Sequence, residues 1–313
     1  MLRFRLFVLS ALLLVSATVN AALVYEKFAT NPALDGWRSF GNTNLFQWDA
    51  TNHVLDVTWD STQSNSYYFH PLDRTYTKAD SFCVQFDLNF ADDVAVGYFE
   101  LAIGLGNFPQ LTSANFSRAN AESPDLCEFD YYPGGVTSYG PSIDATLVDA
   151  NDIFYFAYDA SQPLNTNSIY RVVLIHRAGA DSISGTIFTN GVQMSRLPDV
   201  YVEAGLGDFQ LDTLAVLNYT TLDDAYGDSL LAHGTVANLA FASPLPVGMV
   251  QAVAPGGVQT TSDTNWIYAL EQTTDFATWT VAATATGNGT NLLLQATNPP
   301  TGAAFYRVRA DLP

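Results

Sequence analysis

Strict alternation of apolar and polar residues is the feature that most limits how this chain can fold. Every second residue of one segment is large and apolar, namely Phe82, Val84, Phe86, Leu88 and Phe90. Successive side chains of a strand point to opposite faces, so this pattern collects five apolar groups on one face. It is typical of an antiparallel strand with one face in a core. A helix cannot collect the pattern on one side, because its side chains repeat every 3.6 residues.

Similar short runs, separated by Gly, Asn, Asp and Pro, continue to about Ser243, and Asn190-Gly191 has the composition of a two-residue hairpin turn. Roughly a dozen short strands with turn signals between them predict a two-sheet sandwich of jelly-roll type. We therefore predict an all-β protein with a jelly-roll domain over residues 23–243. A proline-containing linker at 244–248 would lead to a small β-sandwich-like C-terminal domain at 249–313.

The first 22 residues have the composition of a secretory signal peptide. Arg3 and Arg5 precede an apolar run from Leu6 to Val15, and small residues follow near Ala21. We therefore predict a secreted, periplasmic or cell-surface protein. No later segment approaches ~18 consecutive apolar residues, so no membrane insertion is predicted.

The net charge limits the partners. The formal charge of −19 falls to about −21 if the leader is removed, because the leader holds two arginines and no acid. Such a surface is repelled by phosphate backbones, so nucleic acid is not a predicted partner. The many carboxylates make calcium the one candidate cofactor, since calcium prefers oxygen ligands.

Two cysteines, Cys83 and Cys127, complete the composition. In an oxidising compartment an even pair can form a disulfide, and two buried free thiols are the alternative. Spacing along the chain does not decide between them.

The segment around Glu128-Phe129-Asp130-Tyr131-Tyr132 is the candidate site. Residues two apart on a strand share a face, so Glu128, Asp130 and Tyr132 should lie on one surface. Two neighbouring carboxylates repel each other unless a cation, a proton or a substrate lies between them. A solvated or arginine-paired acid pair, a calcium or ligand site and a catalytic pair all remain open.

The long domain resembles the concanavalin A-like lectin and glucanase superfamily. The resemblance rests on the order of several short motifs: Gly36-Trp37, Trp48-Asp49, Leu55-Asp56-Val57, Tyr170-Arg171-Val172 and His233-Gly234-Thr235. It covers about residues 24–243 and implies a jelly roll that binds or acts on carbohydrate. The C-terminal segment is similar to the small β modules that end many secreted bacterial proteins, with attachment or spacing as the implied role.

Within that resemblance, Glu128, Asp130 and Tyr132 match the metal-binding segment of legume lectins, and Asp144 loosely matches a later part of it. The resemblance implies a metal site formed by these four residues. Ser142 replaces a metal-binding histidine, so a single calcium ion is expected rather than a pair of metals.

The same segment is similar to the active strand of family 16 glycosidases, where Glu128 and Asp130 match two of three alternating acids and Tyr132 replaces the third. A retaining glycosidase needs two carboxyl groups about 5–5.5 Å apart across the sugar bond. The missing acid makes catalysis by Glu128 and Asp130 the alternative hypothesis rather than the leading one.

The aromatic residues Tyr132, Trp48 and Trp59 are the candidate sugar contacts, with core packing as the alternative for the tryptophans. The leading hypothesis is a secreted, lectin-like, non-catalytic protein that binds carbohydrate or a cell-surface glycan. A jelly-roll glycoside hydrolase and a cell-surface or matrix structural protein are the alternatives, because a fold does not fix a function.

Overall fold

The computed structural model describes residues 22–137, 140–166, 168–203, 205–222, 224–246, 250–254, 256–264, 266–276, 278–300 and 304–312. The predicted signal peptide lies outside the described residues except for Ala22, where the first strand begins. The end of the predicted linker, 247–248, lies outside them as well. Within the described ranges, no helix has the length and apolar character needed to cross a membrane.

Up to Ser243 the regular secondary structure of the described chain is almost entirely β-strand. In chain order the strands are β1 (Ala22–Glu26), β2 (Arg38–Phe40), β3 (Phe46–Asp49), β4 (Val54–Asp60), β5 (Ser66–Tyr76), β6 (Phe82–Val96), β7 (Leu101–Gly106), β8 (Leu126–Thr137), β9 (Gly140–Val148), β10 (Phe154–Ala160), β11 (Ile169–His176), β12 (Ile183–Thr189), β13 (Val192–Ser195), β14 (Asp199–Val202), β15 (Leu211–Asn218) and β16 (Ser229–Ser243). Two short 3-10 turns, Pro32–Asp35 and Thr43–Leu45, and the one-turn helix α1 (Phe108–Leu111) interrupt them.

These strands form two antiparallel eight-stranded sheets. Sheet A has the order β13-β12-β11-β6-β16-β4-β3, with β1 also paired to β16, and sheet B has the order β14-β10-β9-β8-β7-β15-β5-β2. Several strands that are neighbours in a sheet lie far apart along the chain, because the chain crosses between the two sheets of the sandwich. The predicted all-β, two-sheet architecture is confirmed.

The core lies between the sheets and is built by the alternation seen in the sequence. Phe86 of β6 meets Phe129 of β8 with ring centroids 5.7 Å apart, and Phe90 meets Tyr131 at 5.2 Å. Both contacts are edge-to-face, the arrangement that aromatic rings favour. Each large apolar side chain buried here contributes about 1.5–3 kcal/mol to folding.

A smaller C-terminal unit follows. Its strands are β17 (Val250–Ala254), β18 (Gly257–Thr261), β19 (Ile267–Thr273), β20 (Thr280–Thr286), β21 (Asn291–Gln295) and β22 (Phe305–Asp311). They pair as two three-stranded sheets, β17-β18-β21 and β20-β19-β22.

The C-terminal unit shares a hydrophobic core with the outer face of sheet A. Cys83, Ala240 and Ala242 of sheet A belong to the same buried cluster as Trp266 and Leu270. The sequence predicts that β6 has only one buried face. Its other face is covered as well, because the C-terminal unit packs over Cys83.

The cysteines are two buried free thiols. Cys127 lies in the core between the sheets, whereas Cys83 lies in the cluster beneath the C-terminal unit. The thiols therefore lie in different layers, and the structure shows two buried free thiols rather than a disulfide.

Candidate functional site

The candidate site lies on the face of sheet B that points away from sheet A. Because Phe129 and Tyr131 pack against sheet A, the alternating residues Glu128, Asp130 and Tyr132 point to the other side. The predicted shared face of these three residues is therefore observed. All three are buried, and both carboxyl groups have an exposure of 0%.

Strand β9 extends the same face. Asp144 pairs with Asp130, Ser142 with Tyr132 and Thr146 with Glu128 across the β8–β9 ladder. Directly opposed residues of an antiparallel pair have Cβ atoms about 4.5–5.5 Å apart. The pairing therefore brings Asp144 to the two acids of β8, as the sequence resemblance implied.

The long connection between β7 and β8 folds back over this face. Its residue Phe116 lies 5.8 Å from Tyr219 between ring centroids, and the Asn65 side chain donates a 3.3 Å hydrogen bond to the Phe116 carbonyl. These contacts fix the connection where Arg118 reaches the acids. Arg118 is itself buried, with 6% of its side chain exposed.

The Arg118 guanidinium binds three carboxyl groups at once. Nε lies 3.0 Å from Glu128 Oε1 and 3.2 Å from Glu100 Oε1, and Nη2 lies 3.4 Å from Asp130 Oδ2. Nη2 also lies 3.5 Å from the Tyr132 hydroxyl. Of the three interpretations left open by the sequence, the arginine-paired acid cluster is the one observed.

Two hydroxyl groups complete the contacts of the β8 acids. Tyr219 donates a 2.6 Å hydrogen bond to Glu128 Oε2, and Thr146 donates a 2.5 Å hydrogen bond to Asp130 Oδ2. Hydrogen bonds to a carboxylate are the strong kind, so they hold both side chains in one conformation. In this arrangement neither carboxylate has any surface with which to touch a substrate.

One guanidinium faces four buried carboxyl groups, those of Glu100, Glu128, Asp130 and Asp144. Burial raises the pKa of Glu100 to about 7 and that of Asp144 to about 7. Burial and then the neighbouring Glu128 charge raise the pKa of Asp130 well above its usual range, and burial also raises the pKa of Glu128. The cluster therefore retains protons at a pH where exposed carboxyl groups have lost them.

The predicted metal ligands Glu128, Asp130, Tyr132 and Asp144 lie together on one face of sheet B, next to Arg118. Arg118 already lies against Glu128 and Asp130, so the cation between these acids is supplied by the chain itself. Throughout the described part of the chain, no group of three or more His, Cys, Asp or Glu side chains has an arrangement that could hold a metal ion. Calcium binding stays a prediction from the sequence.

The predicted tryptophan contacts lie elsewhere. Trp59 is 1% exposed in the core of the sandwich, and Trp48 packs against that core and donates a 2.9 Å hydrogen bond to the Phe28 carbonyl. Both belong to sheet A. The structure does not bring them to Tyr132, which lies on the far face of sheet B.

An open cleft adjoins the acid cluster, and we call it the sheet B cleft. It has a volume of about 300 Å³ and is lined by Tyr132, Ser142, Asp144, Phe156, Tyr158, Ala160 and Tyr201. Phe156 pairs with Tyr201 across β10 and β14, with ring centroids 6.2 Å apart. Within the described structure, Asp144 Oδ1 and the Ser142 hydroxyl are buried without a hydrogen-bond partner.

Sequence reasoning missed Arg118, Glu100 and Tyr219, and it missed the aromatic wall of the cleft. One signal for Arg118 was available, since it is the only basic residue between Lys78 and Arg171. A second signal was the spacing of Phe156 and Tyr158, which places both on one face of a predicted strand.

Gly104 of β7 lies opposite Glu128 in the ladder, and its lack of a side chain lets the two strands approach. A Cβ at this position would lie 2.5 Å from Glu128 Cα and closer still to the Cys127 carbonyl oxygen. We expect Gly104→Ala to lower the free energy of unfolding by about 1–3 kcal/mol, as overpacking typically does. Urea unfolding monitored by tryptophan fluorescence measures this, and a loss below about 0.5 kcal/mol would contradict the close packing.

Comparison with known proteins gives matches among solved structures only, since no family model and no curated protein matches the chain. Peanut lectin is 9% identical with a TM-score of 0.41, over 70% of this chain and 98% of the lectin. An alginate lyase is 10% identical with a TM-score of 0.38, over 72% of this chain and 98% of the lyase.

An endo-β-1,4-glucuronan lyase from the fungus Trichoderma reesei is 11% identical with a TM-score of 0.38, over 66% of this chain and 87% of the lyase. These solved structures are among those that this chain is similar to, at TM-scores of 0.38 to 0.41. Similarities at this level indicate neither a ligand nor an activity for this chain.

Proposed function

We propose that the protein binds a neutral carbohydrate in the sheet B cleft and does so without catalysis. The observation that supports this most directly is the aromatic cleft, because two of the residues that line it, Asp144 and Ser142, each have a buried side-chain oxygen without a hydrogen-bond partner among the described residues. A buried polar atom without a partner costs about 1–3 kcal/mol. A ligand with hydroxyl groups in the cleft would remove that cost if the Asp144 and Ser142 side chains rotate toward it.

The shape and lining of the cleft favour a sugar. Ligand pockets in proteins occupy roughly 300–1,000 Å³ and combine apolar walls with a few polar groups that fix orientation. The sheet B cleft has a volume at the lower end of that range, with rings from Phe156 and Tyr201 on one wall. A pyranose offers both surfaces needed, C–H groups for the rings and hydroxyl groups for Asp144 and Ser142.

The charge of the site favours a neutral sugar over an acidic one. Among the residues that line the described cleft, Asp144 is the only one with a carboxyl group, and no lysine or arginine is present. The Arg118 charge behind the cleft is already shared by Glu100, Glu128 and Asp130. A carboxylate or sulfate on the ligand would therefore meet like charge without a free cation.

The remaining parts of the proposal come from the sequence. Arg3, Arg5 and the apolar run to Val15 support export of the protein, where glycans of cell surfaces and matrices are the available ligands. The full burial of Glu128 and Asp130 supports binding rather than hydrolysis, because a glycosidase needs both carboxyl groups beside the sugar bond.

A glycan array with the mature protein, run in calcium and again in EDTA, tests this proposal. We expect binding to a coherent class of neutral glycans in both conditions. Binding lost in EDTA would instead support the calcium site predicted from the sequence. Absence of binding to every glycan would contradict the proposal and favour the cell-surface structural alternative.

Tyr201→Ala then tests the location of the site. We expect roughly tenfold weaker binding to the neutral glycan found on the array, because the variant removes an aromatic wall worth about 1–1.5 kcal/mol. Tyr226→Ala is the matched control, since Tyr226 is 86% exposed and is not part of the cleft lining. Isothermal titration calorimetry gives both affinities, and equal affinities would place the binding site elsewhere.

A further inference from the structure

A second cavity lies between sheet A and the C-terminal unit, and we call it the arginine groove. It has a volume of about 780 Å³. One side is formed by the β12–β13 hairpin, with Phe188 and Arg196, and the other by the sheet β20-β19-β22, with Glu271, Arg307 and Arg309. The arginine groove shares no lining residue with the sheet B cleft.

The charge of this groove is opposite to that of the whole protein. The chain has 31 acidic residues and only 12 basic ones, yet the described lining of the groove has three guanidinium groups and one carboxylate, that of Glu271. A second carboxylate, that of Asp311, pairs with Arg309 from beside the groove. The long-range field of such an acidic protein repels anions. An anion can therefore bind to this chain at a surface with a local surplus of guanidinium groups.

Aromatic rings hold two of the guanidinium groups in place. The Arg307 guanidinium lies 4.1 Å from the centroid of the Trp279 ring, and the Arg309 guanidinium lies 5.7 Å from that of Phe188. A guanidinium stacked on a ring keeps its N–H groups at the edge, where they can form paired hydrogen bonds to a carboxylate or sulfate. The groove thus presents oriented donors rather than freely moving charges.

The donors of the groove are only partly used by the chain. Arg307 Nε is 2.6 Å from Glu271 Oε2, whereas Arg309 Nε lies 3.5 Å from Glu271 Oε1 and makes no hydrogen bond within the described structure. Arg196 is exposed, and its Nε donates a 3.1 Å hydrogen bond to the neutral amide oxygen of Gln193. Arg309 Nη2 also lies 3.1 Å from Asp311 Oδ2, so Glu271 and Asp311 pair with two of the three cations. Arg196 has no carboxylate partner within the described structure, and the groove keeps one guanidinium charge in excess.

We propose that the arginine groove binds an anionic saccharide through its carboxylate or sulfate groups. The arginines would hold the charged groups, and the ring surface of Trp279 and the 60% exposed Phe276 would contact the sugar. This surface combines aromatic faces with guanidinium edges, which favours a charged sugar over an acidic peptide, whose backbone offers no flat apolar face. The proposal assigns a ligand to the C-terminal unit, and it stands whether or not the sheet B cleft binds a neutral glycan.

Titration calorimetry of the full mature chain at fixed ionic strength tests the proposal with four probes. An oligogalacturonate supplies carboxylates, a chondroitin sulfate oligosaccharide adds sulfates, a malto-oligosaccharide of equal length is neutral, and an oligoglutamate peptide is anionic without a sugar. We expect binding to at least one of the two anionic saccharides, and the stronger of the two identifies the charged group. Any binding of the neutral one would belong to the sheet B cleft, and Arg196→Glu should leave it unchanged. Oligoglutamate binding as tight as that of the better saccharide would overturn the assignment to a sugar.

Arg196→Glu locates the site, and Arg177→Glu is its matched control. Both arginines are exposed and both substitutions change the net charge equally, but Arg177 is not among the residues that line the groove. We expect Arg196→Glu to weaken binding of the anionic saccharide by about tenfold or more, since a hydrogen bond to a charged group contributes about 1.5–3 kcal/mol. Equal losses in the two variants would show a nonspecific charge effect and overturn the proposed site.

Discussion

Replacing Arg118 with methionine is expected to lower the free energy of unfolding by about 3–5 kcal/mol at pH 7. Methionine keeps much of the apolar volume but leaves Glu100, Glu128 and Asp130 without the cation that contacts all three. Removing one partner of a buried ion pair is costly because the remaining charge stays buried and unpaired. Urea unfolding at equilibrium, monitored by tryptophan fluorescence, measures the loss.

The matched control for this substitution is Arg74→Met. Arg74 also pairs with a carboxylate, Asp80, at 2.7 Å, but 45% of its side chain is exposed. Exposed ion pairs contribute about 0–1 kcal/mol, so the control variant should lose little. Similar losses in the two variants would contradict the view that Arg118 acts as a buried countercharge.

The pH dependence of Arg118→Met distinguishes charge from packing. Without the guanidinium the buried carboxyl groups bind protons more tightly in the folded state than in the unfolded chain, so stability must rise as the pH falls. We therefore expect the difference from the wild-type protein to shrink steadily between pH 7 and about pH 4. A difference that stays constant over this range would indicate lost packing instead.

The single substitution Asp144→Asn is expected to have two effects. It should stabilise the protein at pH 8 and weaken glycan binding. Burial raises the pKa of Asp144 to about 7, so the folded state holds a proton that the unfolded chain releases near pH 4. Stability from this group is therefore lost as the pH rises from about 4 to 7, and asparagine, which does not ionise, removes the loss. The gain should be on the order of 2 kcal/mol at pH 8 and close to zero at pH 4.

At pH 8, where Asp144 has lost its proton, the same variant should bind the neutral glycan roughly tenfold more weakly, because a neutral amide replaces the stronger charge-assisted acceptor. Asp199→Asn is the control, since Asp199 pairs with Tyr158 beside the cleft but is exposed. We expect Asp199→Asn to change neither stability nor affinity. If Asp144→Asn destabilises the protein at pH 8, Asp144 is a structural residue and its role in binding is contradicted.

The acid cluster is hard to explain as a means of stabilising the sheet. Four carboxyl groups buried around one guanidinium raise the free energy of the folded state, and apolar residues of similar volume would pack there without that cost. Perturbed carboxyl groups of this kind are concentrated at functional sites. The open cleft of the proposed ligand site adjoins the cluster at Asp144.

The faces of the strands could be predicted from the sequence, because a strand repeats its side chains every two residues. That local rule places Phe86 and Phe129 in the core and Glu128 with Asp130 on the opposite face, as observed. The conflict between these two acids was also visible in the sequence, since like charges at this spacing need a partner. The sequence did not show which residue is that partner.

Only the tertiary structure decided what meets that face. Arg118 lies ten residues before Glu128, yet it reaches the acid because the whole β7–β8 connection turns back across sheet B. Phe156 and Tyr201 come together because β10 pairs with β14, and no local pattern specifies which strands become neighbours. Strand order and loop path depend on the packing of the entire chain, whereas alternation depends on two residues at a time. The alternation in the sequence therefore predicts the strands and their faces, whereas the packing of distant segments forms the cleft, the countercharge and the arginine groove.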